Sequence, residues 1–251
     1  MAVAHKAGDG PRFTVRPFRA GDSPEARRIF SEGVMDMPWP AFRRVPQSPA
    51  AACLILTAGA AVYGTGWLLT WAALPVAALL ALLYLACRMV FARYLRETLE
   101  ADMADIEGTY MGRLGAGFWV VEEEGGDGGL RGMVAAQEAE GQPGCCQLLR
   151  LSVDRRCRGL GLGRRLTLRV LELARDSSCR ECVLYTSTAQ QPAIRLYLAQ
   201  GFRVTRDDEP MPGPALLSWV TNIYQCEMRL DFWTPVIPTE EVSGHGVGTC
   251  Q

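Results

Sequence analysis

Residues 153–166, VDRRCRGLGLGRRL, place five arginines and three alternate glycines between an apolar run and a helical one. Glycine lets backbone N–H groups come close to a ligand, and arginine supplies charge and forked donors. An anion, above all a phosphate, calls for that combination; an ordinary Gly-rich turn on a basic surface also displays it. Arg164 and Arg165 favour the anion. Both fall in the first turn predicted for the following helix, where a cation costs about 0.3 kcal/mol unless bound negative charge offsets it. Two common phosphate loops do not fit. The stretch has no lysine for G-x-x-x-x-G-K-[ST]. The dinucleotide G-x-G-x-x-G opens directly after a strand, whereas charged residues here separate the strand from Gly159, Gly161 and Gly163.

Other chemistry-bearing residues are sparser. Nine cysteines at irregular spacing do not suggest a secreted disulfide framework, and Cys179-x-x-Cys182 lacks a second pair. The two histidines, His5 and His245, lie near the ends, so no metal site is expected. A net charge of −1 over 251 residues provides no global field toward nucleic acid, which is not expected as a partner. That length suits one large domain or a medium domain with appendages. The first residues contain no apolar run, and no signal peptide is expected.

The elements that must position these residues can be read in order. Residues 13–18 alternate as a strand; Asp22, Pro24 and Glu25 then mark a helix start, with Ala26, Ile29, Phe30 and Val34 inward. Residues 94–110 read as an amphipathic helix with Leu95, Leu99, Met103 and Ile106 on one stripe. Strands are predicted at 117–122, 130–136, 146–153, 182–186, 202–205 and 224–230, and helices at 162–175 and 192–200. The result is a mixed α/β domain.

Between Arg44 and Arg88 no residue is charged. The run is about twice the ~20 residues of a spanning helix. Gly64, Gly66 and Pro75 loosen its middle, Trp67 and Trp71 suit a membrane interface, and arginines flank both ends. Basic flanks on one side imply a hairpin that enters and returns; a buried helical core is the alternative. The expected division is therefore 12–44 for the first strand and helix, 45–92 for a membrane hairpin, 93–231 for the remaining domain and 232–251 for a mobile tail.

The segment Arg158-Gly-Leu-Gly161-Leu-Gly163 resembles the [RQ]-x-x-G-x-[GA] signature of the GNAT N-acetyltransferase superfamily. Ala193-Ile-Arg-Leu-Tyr197-Leu-Ala-Gln-Gly201-Phe202 resembles that family's A-x-x-L-Y-x-x-x-G-F segment, in the right order with one strand between. Residues 12–230 are similar to the camello-like branch, which inserts a hydrophobic segment after the first helix. Within it, residues 102–107, 117–120 and 148–154 look most like the aspartate N-acetyltransferases, then those that acetylate cysteine S-conjugates. The segments 185–188 and 190–191 depart from both.

The resemblance implies a GNAT fold interrupted by a membrane hairpin, with acetyl-CoA as co-substrate and a small amine, L-aspartate first, as acceptor. Cysteine S-conjugates, protein lysines or a non-catalytic CoA-binding role are the alternatives. It places the pyrophosphate on Arg158, Gly159, Leu160, Gly161, Leu162, Gly163 and Arg164. N–H donors for the thioester carbonyl fall at Leu151, Ser152 and Val153. Tyr197 matches the general acid, its other reading being a tyrosine packed on the sheet. Asp102 and Asp105, three apart on one predicted helix face, are candidates to hold the ammonium and to take its proton. Glu107, Glu138, Glu140 or a water chain are the alternatives for the base. Strand alternation puts Arg150 on the face of Leu148 and Ser152, opposite Leu149 and Leu151, where its fork suits a substrate carboxylate. The implied partners are a small amine and the lipid bilayer, and the implied location is the endoplasmic reticulum membrane with the catalytic domain in the cytosol.

Overall fold

The computed structural model describes residues 12–64, 69–125, 129–211, 218 and 223–232. In chain order they form β1 (Phe13–Pro17), α1 (Ser23–Met35), α2 (Pro38–Phe42), α3 (Pro49–Gly64), α4 (Leu69–Glu100), α5 (Ile106–Tyr110), β2 (Gly117–Glu123), β3 (Leu130–Glu138), β4 (Cys145–Val153), α6 (Leu162–Asp176), β5 (Glu181–Ser187), α7 (Gln191–Leu198), β6 (Arg203–Pro210) and β7 (Tyr224–Asp231). One seven-stranded sheet runs β1-β2-β3-β4-β5-β7-β6. Only β4 and β5 are parallel; every other neighbouring pair is antiparallel.

Burial on both faces makes the central strands. Along β2, Phe118 and Val120 join the core beneath α1, with Ala26, Ile29, Phe30 and Val34. Trp119 and Val121 join the opposite core beneath α6, with Leu166, Val170 and Ala174. A doubly covered strand reads as a continuous apolar run, as GFWVV does. A slip of one residue would exchange the two cores, so register is strongly specified. At the start of α1, Asp22 holds the N-cap position but does not cap. Its carboxylate accepts from the Arg19 amide at 2.8 Å and pairs with Arg16 at 2.7 Å.

The expected helix over 94–110 is two helices. α4 ends at Glu100, residues 101–105 turn, and α5 starts afresh with Asp105 as its N-cap. Met103 and Ile106 are fully buried, as the stripe predicts. The apolar period survives the break because the turn carries the chain over the same core.

The hydrophobic run also differs from expectation. Its second half belongs to the 32-residue α4, about 48 Å long. Leu83, Cys87 and Phe91, four apart, are buried in the α1-side core, so the lower part of α4 packs with the domain. On its other sides Leu74, Leu82, Leu85 and Met89 are exposed. Among the described helices, one segment, Val76–Glu100, is long and apolar enough to cross a membrane. α3 packs on α4 but has 16 residues, about 24 Å, short of the ~30 Å hydrocarbon core. Residues 65–68, which include Gly66 and Trp67, lie outside the described residues, as does the tail from 233.

Candidate functional site

Gly161 is the N-cap of α6 at φ +77° and ψ +4°, and Gly159 has φ +82°. Left-handed backbone costs other L-residues roughly 1–2 kcal/mol, which explains glycine at both bends. With no side chain at the cap, the first N–H groups of α6 have no cap acceptor. A Cβ at either glycine would enter open space. That opening, at the positive end of the helix, suits an anion. Gly163 has another reason: a Cβ there would approach Leu196 of α7 to 3.1 Å. Leu162 is buried and anchors the helix, while Arg158, Gly159, Leu160 and Gly161 are exposed.

The arginines divide into two groups. Arg156, Arg164 and Arg165 are exposed and form no ion pair among the described residues. Arg158, though exposed, folds back along the bend, its Nε donating to the Val153 carbonyl at 3.2 Å and its Nη2 pairing with Asp36 at 2.9 Å. Arg155 pairs with the same Asp36. Asp154 ends β4 by accepting from the Arg156 amide at 2.9 Å and from Arg28 at 3.2 Å. Burial works against its charge, but these two partners hold its carboxyl below the ordinary range. Arg28, Asp36, Arg131, Asp154, Arg155 and Arg156 line a cavity of about 620 Å³ between α1 and the bend.

Within β4 the strand alternation fails at one point. Met133 of β3 faces Ser152 and Ala135 faces Leu149, so Arg150 and Leu151 oppose Val134 alone. This is a bulge. Arg150 takes φ +54°, a left-handed conformation rare for a non-glycine residue. Its side chain therefore joins Leu149 on the α1 side, while Leu148 and Leu151 pack beneath α6. The sequence reading, which paired Arg150 with Leu148, is corrected by the extra residue. Arg150 Nε and Nη2 each bond Asp102 at 2.8 Å, and Nη1 donates to the Tyr94 hydroxyl at 2.8 Å. The guanidinium lies 5.7 Å from the centre of the Phe30 ring, and Tyr110 donates to Asp102. The carboxylate that fills the Arg150 fork is thus Asp102 itself, and these two expected substrate-binding residues bind each other.

Asp105 stands apart. Its Oδ1 accepts from the Gly108 amide at 2.8 Å, and the residue is exposed. Neither Tyr94, Tyr110 nor Phe30 carries a local sequence signal for this network. They meet Arg150 only because α1, α4 and α5 converge on one face of β4.

Tyr197 projects from α7 into the core shared with Cys146, Leu148, Cys182 and Leu184, its ring edge-on to Phe202 at 5.7 Å. β4 and β5 pair from Cys145 with Glu181 to Leu148 with Leu184, then part. Leu151, Ser152 and Val153 follow on the unpaired side of that gap, and β3 holds Ser152 and Val153 from the other side. Burial, with Cys182 nearby, pushes the Tyr197 phenol well above its ordinary range, so it carries its proton at neutral pH. Its hydroxyl has no hydrogen-bond partner among the described residues. Two parting strands, an open glycine bend at a helix N-terminus and a neutral phenol together suit transfer of an activated group whose carrier is a polyphosphate.

The family model described as "Acetyltransferase (GNAT) family" matches residues 81–202. N-acetylaspartate synthetase of Homo sapiens is 39% identical over 210 residues, 82% of this chain and 68% of that protein. N-acetyltransferase 8F1 of Mus musculus is 35% identical over 196 residues, 76% of this chain and 86% of that protein. Among solved structures, a GCN5-related N-acetyltransferase from Kribbella flavida is similar in fold. It has a TM-score of 0.51 at 14% identity, covering 87% of this chain and 97% of that one.

Proposed function

Because the chain belongs to the acetyltransferase (GNAT) family and is an acetyl-CoA-dependent N-acetyltransferase, we propose that it acetylates the amino group of a small amino acid, L-aspartate first, from a membrane-attached position. The observation that carries the reading is the parting of β4 from β5 beside the Gly161 helix start, with Tyr197 set in the core below. The similarity to N-acetylaspartate synthetase supports aspartate.

Bound acetyl-CoA would supply an acetyl group activated as a thioester. The residues fit it: the open N-terminus of α6 and Arg164 suit a pyrophosphate, and the glycines leave room for it. Backbone N–H groups at Leu151, Ser152 and Val153, those of them that face the gap, would stabilise charge growing on a carbonyl oxygen. The Tyr197 hydroxyl, neutral and without a competing acceptor, donates its proton to the departing sulfur. The amine must lose a proton to attack, and Asp105 is the carboxylate proposed to take it. Arg150 and Asp102 act as positioning residues that hold the β4 bulge.

The exposed apolar sides of α3 and α4 support membrane attachment. Arginines at both ends of the hydrophobic run favour the cytosolic side for both flanks, and the endoplasmic reticulum is the membrane proposed. An acetyl-CoA turnover assay against L-aspartate, S-benzylcysteine and a lysine peptide tests the acceptor. Aspartate is expected to give the highest kcat/KM; preference for either of the others would replace it.

A further inference from the structure

A second cavity, of about 370 Å³, lies beyond the end of β5 and is lined by Arg44, Thr188, Asp207, Asp208 and Tyr224. Val45, Ala189 and Ile223, next in sequence to three of its lining residues, belong to the α1-side core. Thr188 directly follows the strand whose parting from β4 forms the gap. Arg44 Nη1 donates to the Thr188 carbonyl at 2.7 Å, which fixes the guanidinium, while its buried Nε has no hydrogen-bond partner. A buried donor left unmade is destabilising, most of all on a charged group. Arg44 forms no ion pair among the described residues, and neither do Asp207 and Asp208.

One cavity therefore holds a guanidinium without a carboxylate and two carboxylates without a cation. These are the complementary halves of a site for a zwitterion. We propose that Arg44 binds the α-carboxylate of the acceptor amino acid, with Asp207 and Asp208 attracting its ammonium group on entry, ahead of the proton transfer assigned to Asp105. The proposal rests on the N-acetyltransferase reading above and deepens it. Arg150, whose fork is filled by Asp102, does not supply this contact. With two carboxylates to one guanidinium, the cavity reads the α-amino and α-carboxylate pair rather than a second negative charge in the side chain.

The test uses full-length protein and acceptors in pairs: L-aspartate with its α-amide, and S-benzyl-L-cysteine with its amide. For whichever pair is turned over, the free acid is expected to exceed the amide in kcat/KM by at least about tenfold. Arg44→Gln is expected to remove that advantage through the acceptor KM, leaving the amide within about twofold and the acetyl-CoA KM unmoved. Arg44→Lys keeps part of it. An acid-to-amide ratio near one in the unmutated protein, a measurement that needs no variant, overturns the proposal. So does Arg44→Gln lowering acid and amide alike. If no amine is turned over, the acetyltransfer reading fails separately. Calorimetric titration of acid and amide into the CoA-bound protein then decides for Arg44: tighter binding of the acid supports it, and equal or absent binding overturns it.

Discussion

Arg150 and Asp102 meet in a bidentate pair, Nε to Oδ2 and Nη2 to Oδ1, both at 2.8 Å. Their side chains are 16% and 15% exposed, and the pair ties the turn after α4 to the bulge in β4. Burial works most strongly against the guanidinium charge, but the Asp102 hydrogen bonds together with the fields of Tyr94, Asp102 and Tyr110 outweigh it and raise the Arg150 pKa. The contact stabilises a backbone conformation that arginine otherwise avoids, at the point where β4 has left β5.

Asp102→Ala leaves the guanidinium buried without its carboxylate. The loss should be about 3 kcal/mol, lowering the melting temperature by roughly 6–12 °C. Adding Arg150→Met should recover part of it. Strict additivity in that double-mutant cycle would show that the two residues are not energetically coupled.

Gly161→Val places a β-branched residue at φ +77° and fills the space beside the α6 N-terminus. The CoA dissociation constant should rise at least about tenfold. Unchanged affinity in a folded variant would remove the phosphate role of this bend.

Tyr197→Phe keeps the ring contact with Phe202 and deletes the proton. Turnover should fall by roughly 10²-fold with CoA affinity unmoved. The raised phenol pKa also predicts a stability trend. Above pH 10, the ordinary tyrosine value, the unfolded chain releases this proton while the folded chain retains it. The folded state then binds more protons, so stability is full below pH 10 and declines as pH rises further. Buried Tyr110 acts in the same direction. The decline should be shallower in Tyr197→Phe, and an identical slope would contradict the assignment.

Asp105 can be split into its two roles. Asn caps a helix about as well as Asp but cannot take a proton. Asp105→Asn should leave the melting temperature unchanged and lower turnover by about 10²-fold. Normal turnover would restrict Asp105 to capping Gly108.

Tags at residues 5 and 245 report where the chain lies. Both should be digested by protease added outside sealed microsomes, since β1 pairs with β2 and the two lie on opposite sides of the hydrophobic run in sequence. Protection of one tag alone would mean a single span, which is incompatible with β1 completing the sheet. Protection of both would put the site in the lumen.

Read alone, the sequence determined the features whose physics is local. The bend at Gly159 and Gly161 follows from glycine's freedom at positive φ, and α6 from the four-residue spacing of Leu162, Leu166, Val170 and Ala174. The two-sided burial of β2 follows from an unbroken apolar run. Only the tertiary structure decided the partners of the charged groups. Arg150 changes face because β3 offers a single residue opposite Arg150 and Leu151, and register between strands is not written in either strand. α4 stops at Glu100 while its apolar stripe continues through Met103 and Ile106, since periodicity records what is buried and not whether the backbone stays helical. Arg44 sits in an unremarkable pair of basic residues before the hydrophobic run. Its exposure to a cavity depends on Thr188, 144 residues away, coming within 2.7 Å, because long-range contacts are set by how the layers stack.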